Sequence, residues 1–292
     1  MCVGDSNAAQ ITELVGLFHI DPAKAEIVPA IREEAGSPYE VWYVNCGSER
    51  YVLKKAKEYE RAVYTAFLSD LSEAVPKCCG FVRREGDDYF LMEYARGETL
   101  SRCSREKLVK ALDALIFLQD RYWNNRDKAD VGFTFEKSLP ERMGRGDCLK
   151  DAAARKAYRL FRERYAVLPR TLCHDDLLPF NVLVSEEKAT IIDWEFAGIL
   201  PYLTSLARLI AHGQEDPDAF FYMRDEDKQF AIRYYYDHLV KGKGIPWADY
   251  RRDLQLFLLF EYCEWIQRDS RSELSAYYQN EVKKLLRMEP VC

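Results

Sequence analysis

The sequence predicts an α+β protein of two parts, a small antiparallel-sheet lobe with one main helix followed by a mostly helical lobe that carries a short hairpin. Two patterns and a length lead there. Period-2 runs separated by turn signals fill the first third, while from Ser104 onward apolar residues recur with the 3.6-residue period of helices. At 292 residues the chain is also near the upper limit for one hydrophobic core, so two lobes are expected.

In chain order, Ile11 to Phe18 reads as a short amphipathic helix preceded by the capping-type residues Ser6 and Asn7, and Ile27 to Ile31 as a strand. Gly36-Ser37-Pro38 is a turn signal. Glu40–Val44 and Arg50–Lys54 are β-rich and flank Asn45-Cys46-Gly47-Ser48, which predicts a hairpin. Ala56 to Leu68 carries the apolar stripe of the main helix, and 81–84 with 89–92 form a second hairpin around Glu85-Gly86-Asp87-Asp88. Helices are then expected over 107–122, 151–165, 225–240, 247–267 and 273–286. Between them, 181–184 and 190–192 are two small apolar runs separated by Ser185–Lys188, a hairpin embedded among helices.

Composition narrows the class. Against 48 acidic residues stand 42 Lys and Arg, a net charge of −6, which argues against nucleic-acid binding through a broad basic face. No run approaches the ~20 apolar residues that cross a bilayer, and the first ten residues lack a secretory pattern. The nine cysteines are scattered, form no C-x-x-C pair and are odd in number, so reduced thiols in a cytoplasmic protein are expected rather than a disulfide frame or a zinc site.

The embedded hairpin carries the chemistry. It reads Cys173-His174-Asp175-Asp176-Leu177-Leu178-Pro179-Phe180-Asn181-Val182-Leu183-Val184, and later Ile191-Ile192-Asp193-Trp194. Asp176, Asn181 and Asp193 fall at the mouths of short strands, anchored by apolar neighbours. Phosphoryl transfer needs this set: a carboxylate to orient and deprotonate a hydroxyl, and hard oxygen ligands for Mg²⁺.

On these residues the sequence resembles the kinase-like fold of small-molecule kinases, the aminoglycoside phosphotransferase and choline kinase superfamily, across residues 30 to 212. The resemblance implies a bilobal protein-kinase-like fold, with Asp176 as catalytic base, Asn181 and Asp193 as Mg²⁺ ligands and His174 bracing the loop. It also implies a phosphate-pairing lysine on the third strand. Strand alternation sends only one of Lys54 and Lys55 into the cleft, and the apolar-apolar-apolar-Lys pattern selects Lys54. Glu60 shares a helix face with Val63 and Phe67 and is its expected partner. Gly36-Ser37 resembles the phosphate-covering loop, with Ser37 as a nucleotide contact. Leu91 to Leu100 resembles the interlobe hinge, where Met92, Glu93 and Ala95 would meet the adenine. Residues 1–95 would then form the nucleotide-binding lobe and 96–292 the catalytic and acceptor-binding lobe.

Departures from the pattern are Asp175, where the family carries a small or amide residue, and Ser205-Leu206-Ala207 in place of Asp-Leu-Ala. There is no Gly-x-Gly-x-x-Gly loop, no Ala-Pro-Glu and no room for an activation segment before the helix at 202–211, so a protein kinase is a poor reading. The acceptor is expected between Asp176 and the C-terminal helices. Glu261, Glu264 and Trp265 share about two turns there, a carboxylate–aromatic set suited to a cation, with Asp175 as a further candidate contact. The sequence-based expectation is therefore transfer of the γ-phosphate of Mg·ATP, or of GTP, to a hydroxyl of a cationic acceptor such as an aminoglycoside. A choline, ethanolamine or thiamine kinase is the alternative, and a silent kinase-like scaffold or spore-coat protein the rival. Neither nucleic acid nor membrane is an expected partner, and the sequence leaves monomer and homodimer equally open.

Overall fold

Five antiparallel strands in the order β1-β2-β3-β5-β4 form the N-terminal sheet: β1 (Glu26–Ile31), β2 (Pro38–Cys46), β3 (Glu49–Lys55), β4 (Cys78–Arg84) and β5 (Asp87–Glu93). The computed structural model describes residues 3–31, 38–268 and 272–287. Alternation gives the sheet two faces. Leu53, Leu91 and Val44 are buried against Ile11, Leu14 and Val15 of helix α1 (Val3–Leu17). On the opposite face, Val52, Phe90 and Met92 join the main core with Val63 and Phe67. Helix α1 begins earlier than the sequence suggested, so Ser6 and Asn7 lie inside it rather than capping it.

The main helix of this region starts later than expected. It runs as α2 (Glu60–Val63) and continues as a π-helical turn over Tyr64–Leu68. Residues 56–59 are not helical, because Glu60 turns back to accept the Lys57 N–H at 3.3 Å.

Seven helices follow: α3 (Arg105–Arg121), α4 (Phe135–Gly144), α5 (Ala152–Val167), α6 (Leu203–Ala211), α7 (Asp225–Tyr235), α8 (Trp247–Arg268) and α9 (Glu273–Arg287). Helix α4 escaped the sequence reading because it contains Pro140, a helix-breaking residue type, and its buried positions are Phe135, Ser138 and Arg142, a largely polar stripe. The expected 225–240 helix changes to π-helical turns at Tyr236.

Two small sheets carry the loops that matter. Strand β7 (Arg170–His174) pairs antiparallel with β10 (Ala197–Pro201), His174 opposite Ala197. Neither strand alternates, since Thr171–His174 and all of β10 are buried, so no period-2 signal marks them. The expected hairpin is β8 (Val182–Val184) and β9 (Ala189–Ile191), extended by β6 (Glu98–Thr99). Gly198 allows the 132–133 segment to cross β10: a Cβ there would lie 2.2 Å from the Phe133 carbonyl oxygen.

Candidate active site

The loops after β7, before β8 and after β9 end side by side, which brings His174, Asp176, Asn181 and Asp193 to one edge of the sheet region. Across that edge stands Lys54. Its Nζ donates to Glu60 Oε1 at 2.7 Å and to Asp193 Oδ1 at 2.5 Å, joining residues 139 apart in sequence. Glu60 is almost wholly buried. Burial opposes the Lys54 charge, but the two carboxylates outweigh it and raise its pKa above the ordinary lysine value. Asp193 is held below the ordinary carboxylate value, since Lys54 outweighs the cost of its burial. Lys55 points the other way, to Glu40 at 3.2 Å and Asp87 at 2.7 Å, so of the two lysines it is Lys54 that meets Glu60 and Asp193.

Asp193 itself has φ +65°, a left-handed conformation that a non-glycine residue adopts at a cost of about 1–3 kcal/mol. Such strain is retained where the surroundings fix it, here by Trp194, which is buried and donates to the Ile191 carbonyl at 2.9 Å. The His174 ring packs on Trp194 with centroids 4.8 Å apart and donates through Nε2 to the Ile192 carbonyl at 2.9 Å. Burial lowers the His174 pKa and keeps the ring neutral. It ties β7 to the Asp193 segment.

Asn181 is buried and its Nδ2 donates to the Asp176 carbonyl at 2.9 Å. Its Oδ1 has no protein donor among the described residues. Together with the Asp193 carboxylate, two-fifths of which is exposed, this is an all-oxygen donor set. The residues fit Mg²⁺ by the hardness of their donors. Ser205, the departure from the Asp-Leu-Ala pattern, accepts from the His174 N–H at 2.9 Å and donates to the His174 carbonyl at 3.3 Å. It therefore clamps the backbone two residues before Asp176.

At the expected hinge, Glu93 N donates to the Lys77 carbonyl and Tyr94 N to that of Arg50, while the Ala95 N–H forms no hydrogen bond among the described residues. Met92 is buried at the end of β5. Gly97 has φ +143° and lets the chain turn against β8, where a Cβ would come within 2.7 Å of the Val184 backbone. Ser37 and Gly36, expected over the phosphates, lie outside the described residues.

The acceptor side holds what the sequence reading missed. Arg208, on α6, places Nη2 2.8 Å and Nε 3.1 Å from Asp176 Oδ1, while its Nη1 lies 3.0 Å from Glu261 Oε2 and also donates to Glu264. Burial pushes Glu261 up, but Arg208 overrides it and holds its pKa at about 2. Glu264 is likewise lowered by Arg208 and by Arg145, at 3.4 Å. Asp175 pairs with the buried Arg142 instead of facing solvent. Trp265 stacks near Tyr278 and under Arg268, whose guanidinium lies 5.0 Å from its ring. The expected acidic-aromatic set is thus present on α8 but already ion-paired. The ligating atoms of His212, Glu261 and Glu264 lie within 4.8 Å of one another, yet the Arg208 guanidinium fills that cluster, 3.2 Å from His212 Nε2. The signal was legible: Arg208 is the one charged residue of α6, whose nine residues are all buried, and arginine is rarely buried unless paired.

Asp176 and Arg208 lie on the wall of a cavity of about 1100 Å³ that extends to Phe220, Trp265 and Tyr278. The phosphotransferase enzyme family profile matches residues 32–237, well over half of the chain. The protein belongs to that family. Its fold is kinase-like. Aminoglycoside phosphotransferase APH(4)-Ia, as a thermostable mutant in ternary complex with AMP-PNP and hygromycin B, superposes with a TM-score of 0.58 at 17% identity, covering 90% of this chain and 93% of that one. Choline kinase LicA from Streptococcus pneumoniae superposes at 0.57 and 16% identity, covering 96% and 99%. An aminoglycoside-3'-phosphotransferase of type VIII gives 0.56 at 18% identity, covering 82% and 93%. No curated protein matches the chain in sequence.

Proposed function

We propose that this phosphotransferase moves the γ-phosphoryl group of ATP, or of GTP, to a hydroxyl of a small molecule. The observation that carries the reading is the ion-pair chain Glu60–Lys54–Asp193, which joins the sheet region to the hairpin at the edge where Asp176 and Asn181 emerge. A silent scaffold would have no need to keep a buried Lys–Glu pair and a strained Asp193 in register, since buried ion pairs add little net stability. In this reading residues 1–95 hold the nucleotide, with the adenine at Met92, Glu93 and Ala95 and Ser37 over the phosphates. Residues 96–292 supply the catalytic loop and the acceptor cavity.

The chain's own residues divide the work. Lys54, fixed by Glu60, pairs the nucleotide phosphates. Asn181 and Asp193 would hold Mg²⁺, which neutralises charge on the transferring phosphoryl group when bound. The Asp176 carboxylate orients the acceptor hydroxyl and takes its proton as the new O–P bond forms. The bond between Pγ and the bridging oxygen breaks, and ADP leaves. His174 and Ser205 hold the loop that presents Asp176. The described cysteines are all unpaired, which supports action in a reducing, cytoplasmic compartment, and no helix of the described residues is long and apolar enough to cross a membrane.

Thermal stabilisation by Mg·AMP-PNP tests the nucleotide half, and ADP release over a panel of hydroxyl acceptors tests the transfer half. A protein whose melting temperature ignores Mg·AMP-PNP at millimolar concentration is not this kinase.

A further inference from the structure

Every carboxylate lining the acceptor cavity already has an arginine. Glu141 pairs with Arg142 and Arg145, Asp175 with Arg142, and Asp176 with Arg208. Glu261 pairs with Arg208, and Glu264 with Arg208, Arg145 and Arg268. The same pairs occupy all four arginines of the wall. A polycationic acceptor would have to compete with Arg142 and Arg208 for the buried Asp175 and Glu261, and an anionic one with those carboxylates for the same guanidiniums. Breaking either buried pair leaves a desolvated charge without a partner.

Apart from Gln214 and a few aliphatic side chains, what remains open to a ligand is aromatic. Phe180, Phe196 and Phe220 are among the few large apolar side chains exposed anywhere in the described structure, and all three line this one cavity. Phe220 is the most exposed, at 65%. Its neighbour Phe221 packs on it at 4.7 Å and on Phe180 at 5.8 Å, making a three-ring cluster. This exposure is built in. The segment bearing Phe220 and Phe221 is stapled by Gln214 N to Phe221 O at 2.9 Å, Met223 N to Gln214 O at 2.8 Å and Tyr222 N to Ser101 O at 2.9 Å. Phe180 belongs to the catalytic loop itself, between Asp176 and Asn181. The third exposed ring, Phe196, packs edge-on to Phe133 at 5.9 Å. Exposed apolar surface gathered into one polar-rimmed cleft marks a binding site.

We propose that the acceptor is an uncharged alcohol on an aromatic or other flat apolar framework, seated on the Phe180–Phe220–Phe221 cluster with its hydroxyl at Asp176. This rests on the kinase reading above, and it replaces electrostatic capture of a cation by apolar burial. The transfer step is unchanged: the acceptor oxygen bonds Pγ, ADP departs and the hydroxyl proton passes to Asp176.

The test is direct binding to the full chain saturated with Mg·AMP-PNP, read by saturation-transfer NMR and titration calorimetry. The neutral probes are phenyl β-glucoside and cinnamyl alcohol, and the cationic ones kanamycin and choline. Nucleotide affinity is measured first on the same samples, so loss of Mg·AMP-PNP binding overturns the kinase reading, whereas the acceptor proposal is decided by the probes. Saturable binding of a neutral aromatic probe, weakened about tenfold by Phe220→Ala and by Phe180→Ala in proteins that still melt cooperatively, is the expected result. Phe220→Ala removes a side chain that is mostly exposed, so folding is not at stake. Saturable binding of kanamycin or choline with none of the neutral probes overturns the proposal, as does neutral-probe binding that neither substitution weakens. Absence of binding by all four also overturns it.

Discussion

Arg208 grips Asp176 with two of its nitrogens, at 2.8 and 3.1 Å from the same carboxylate oxygen, and with the third it reaches Glu261 on the far helix. One buried guanidinium therefore joins the residue proposed as the base to the floor of the acceptor cavity. Because both of its contacts are to Oδ1, Oδ2 of Asp176 is left to meet a hydroxyl. An arginine suits this place better than a lysine would, as its planar fork serves several carboxylates at once.

Arg208→Gln is expected to lower stability by about 3–5 kcal/mol, since it leaves the buried Glu261 with only the more distant Arg145, at 4.0 Å, and takes one of three arginines from Glu264. Adding Glu261→Gln and Glu264→Gln should return much of that loss. Turnover should stay depressed in the triple variant. Urea unfolding and steady-state kinetics check both parts; a triple variant as active as the parent would show that Arg208 matters only to folding.

Asp176→Asn keeps the side-chain volume and removes the proton acceptor. General-base catalysis is worth about 10²–10⁴-fold, so kcat should fall by that factor. Mg·AMP-PNP affinity should hold within about twofold, because the residues proposed to meet the phosphates and Mg²⁺ are Lys54, Asn181 and Asp193. Calorimetry and ADP release measured together decide it, and an unchanged kcat would remove Asp176 from the base role.

The five polar residues that the structure brings together along one edge could be singled out because each lies in a short local pattern: Lys54 on an alternating strand, Asp176 and Asn181 in one loop, Asp193 after an apolar strand. Even Glu60 followed from its helix face, shared with the buried Val63 and Phe67. Helix α4 and strands β7 and β10 were not readable, because their residues are buried on all sides or inward-facing but polar, which erases the amphipathic period. The acceptor site failed for a different reason. Glu261, Glu264 and Trp265 were found as residue types, but whether a carboxylate is free depends on what another helix brings to it. Arg208 arrives from α6, 53 positions away from Glu261 in sequence. Spacing within α8 cannot report that.

Ser205, which stands where the family pattern carries Asp, offers a further test. Its hydroxyl makes two hydrogen bonds to the His174 backbone and is fully buried. Ser205→Ala removes both and should cost about 1–3 kcal/mol of stability. It should also lower kcat more than it raises the KM for ATP, because the loop that loosens carries Asp176 and not Lys54. Ser205→Thr retains the hydroxyl and should recover part of the loss. Equal kcat in the wild-type and Ala proteins would mean that Ser205 only packs.

Acid sensitivity should come from two histidines. Burial lowers the pKa of both His174 and His212 below the ordinary value of 6.5. Between the folded value and 6.5 the unfolded chain binds protons that the folded protein refuses, so stability rises with pH there and is lost as pH falls below about 6.5. Each histidine adds a slope of at most about 1.4 kcal/mol per pH unit. The depressed carboxylates Asp193 and Glu261 have the same sign, with losses near and below pH 4.5, whereas Glu60, Asp175 and Glu195, which burial raises, have the opposite sign. Urea unfolding between pH 7.5 and 5.5 is therefore compared between the parent and His212→Gln: the parent should lose more stability toward acid than the variant, whatever the substitution does at pH 7.5. His212 is the better choice of the two, since its ring meets Tyr278 Oη at 2.9 Å and Arg208 at 3.2 Å and does not touch the Asp193 segment that His174 contacts. A slope that His212→Gln leaves unchanged would mean that its ring is protonated as readily in the folded protein as in the unfolded chain, contrary to its burial.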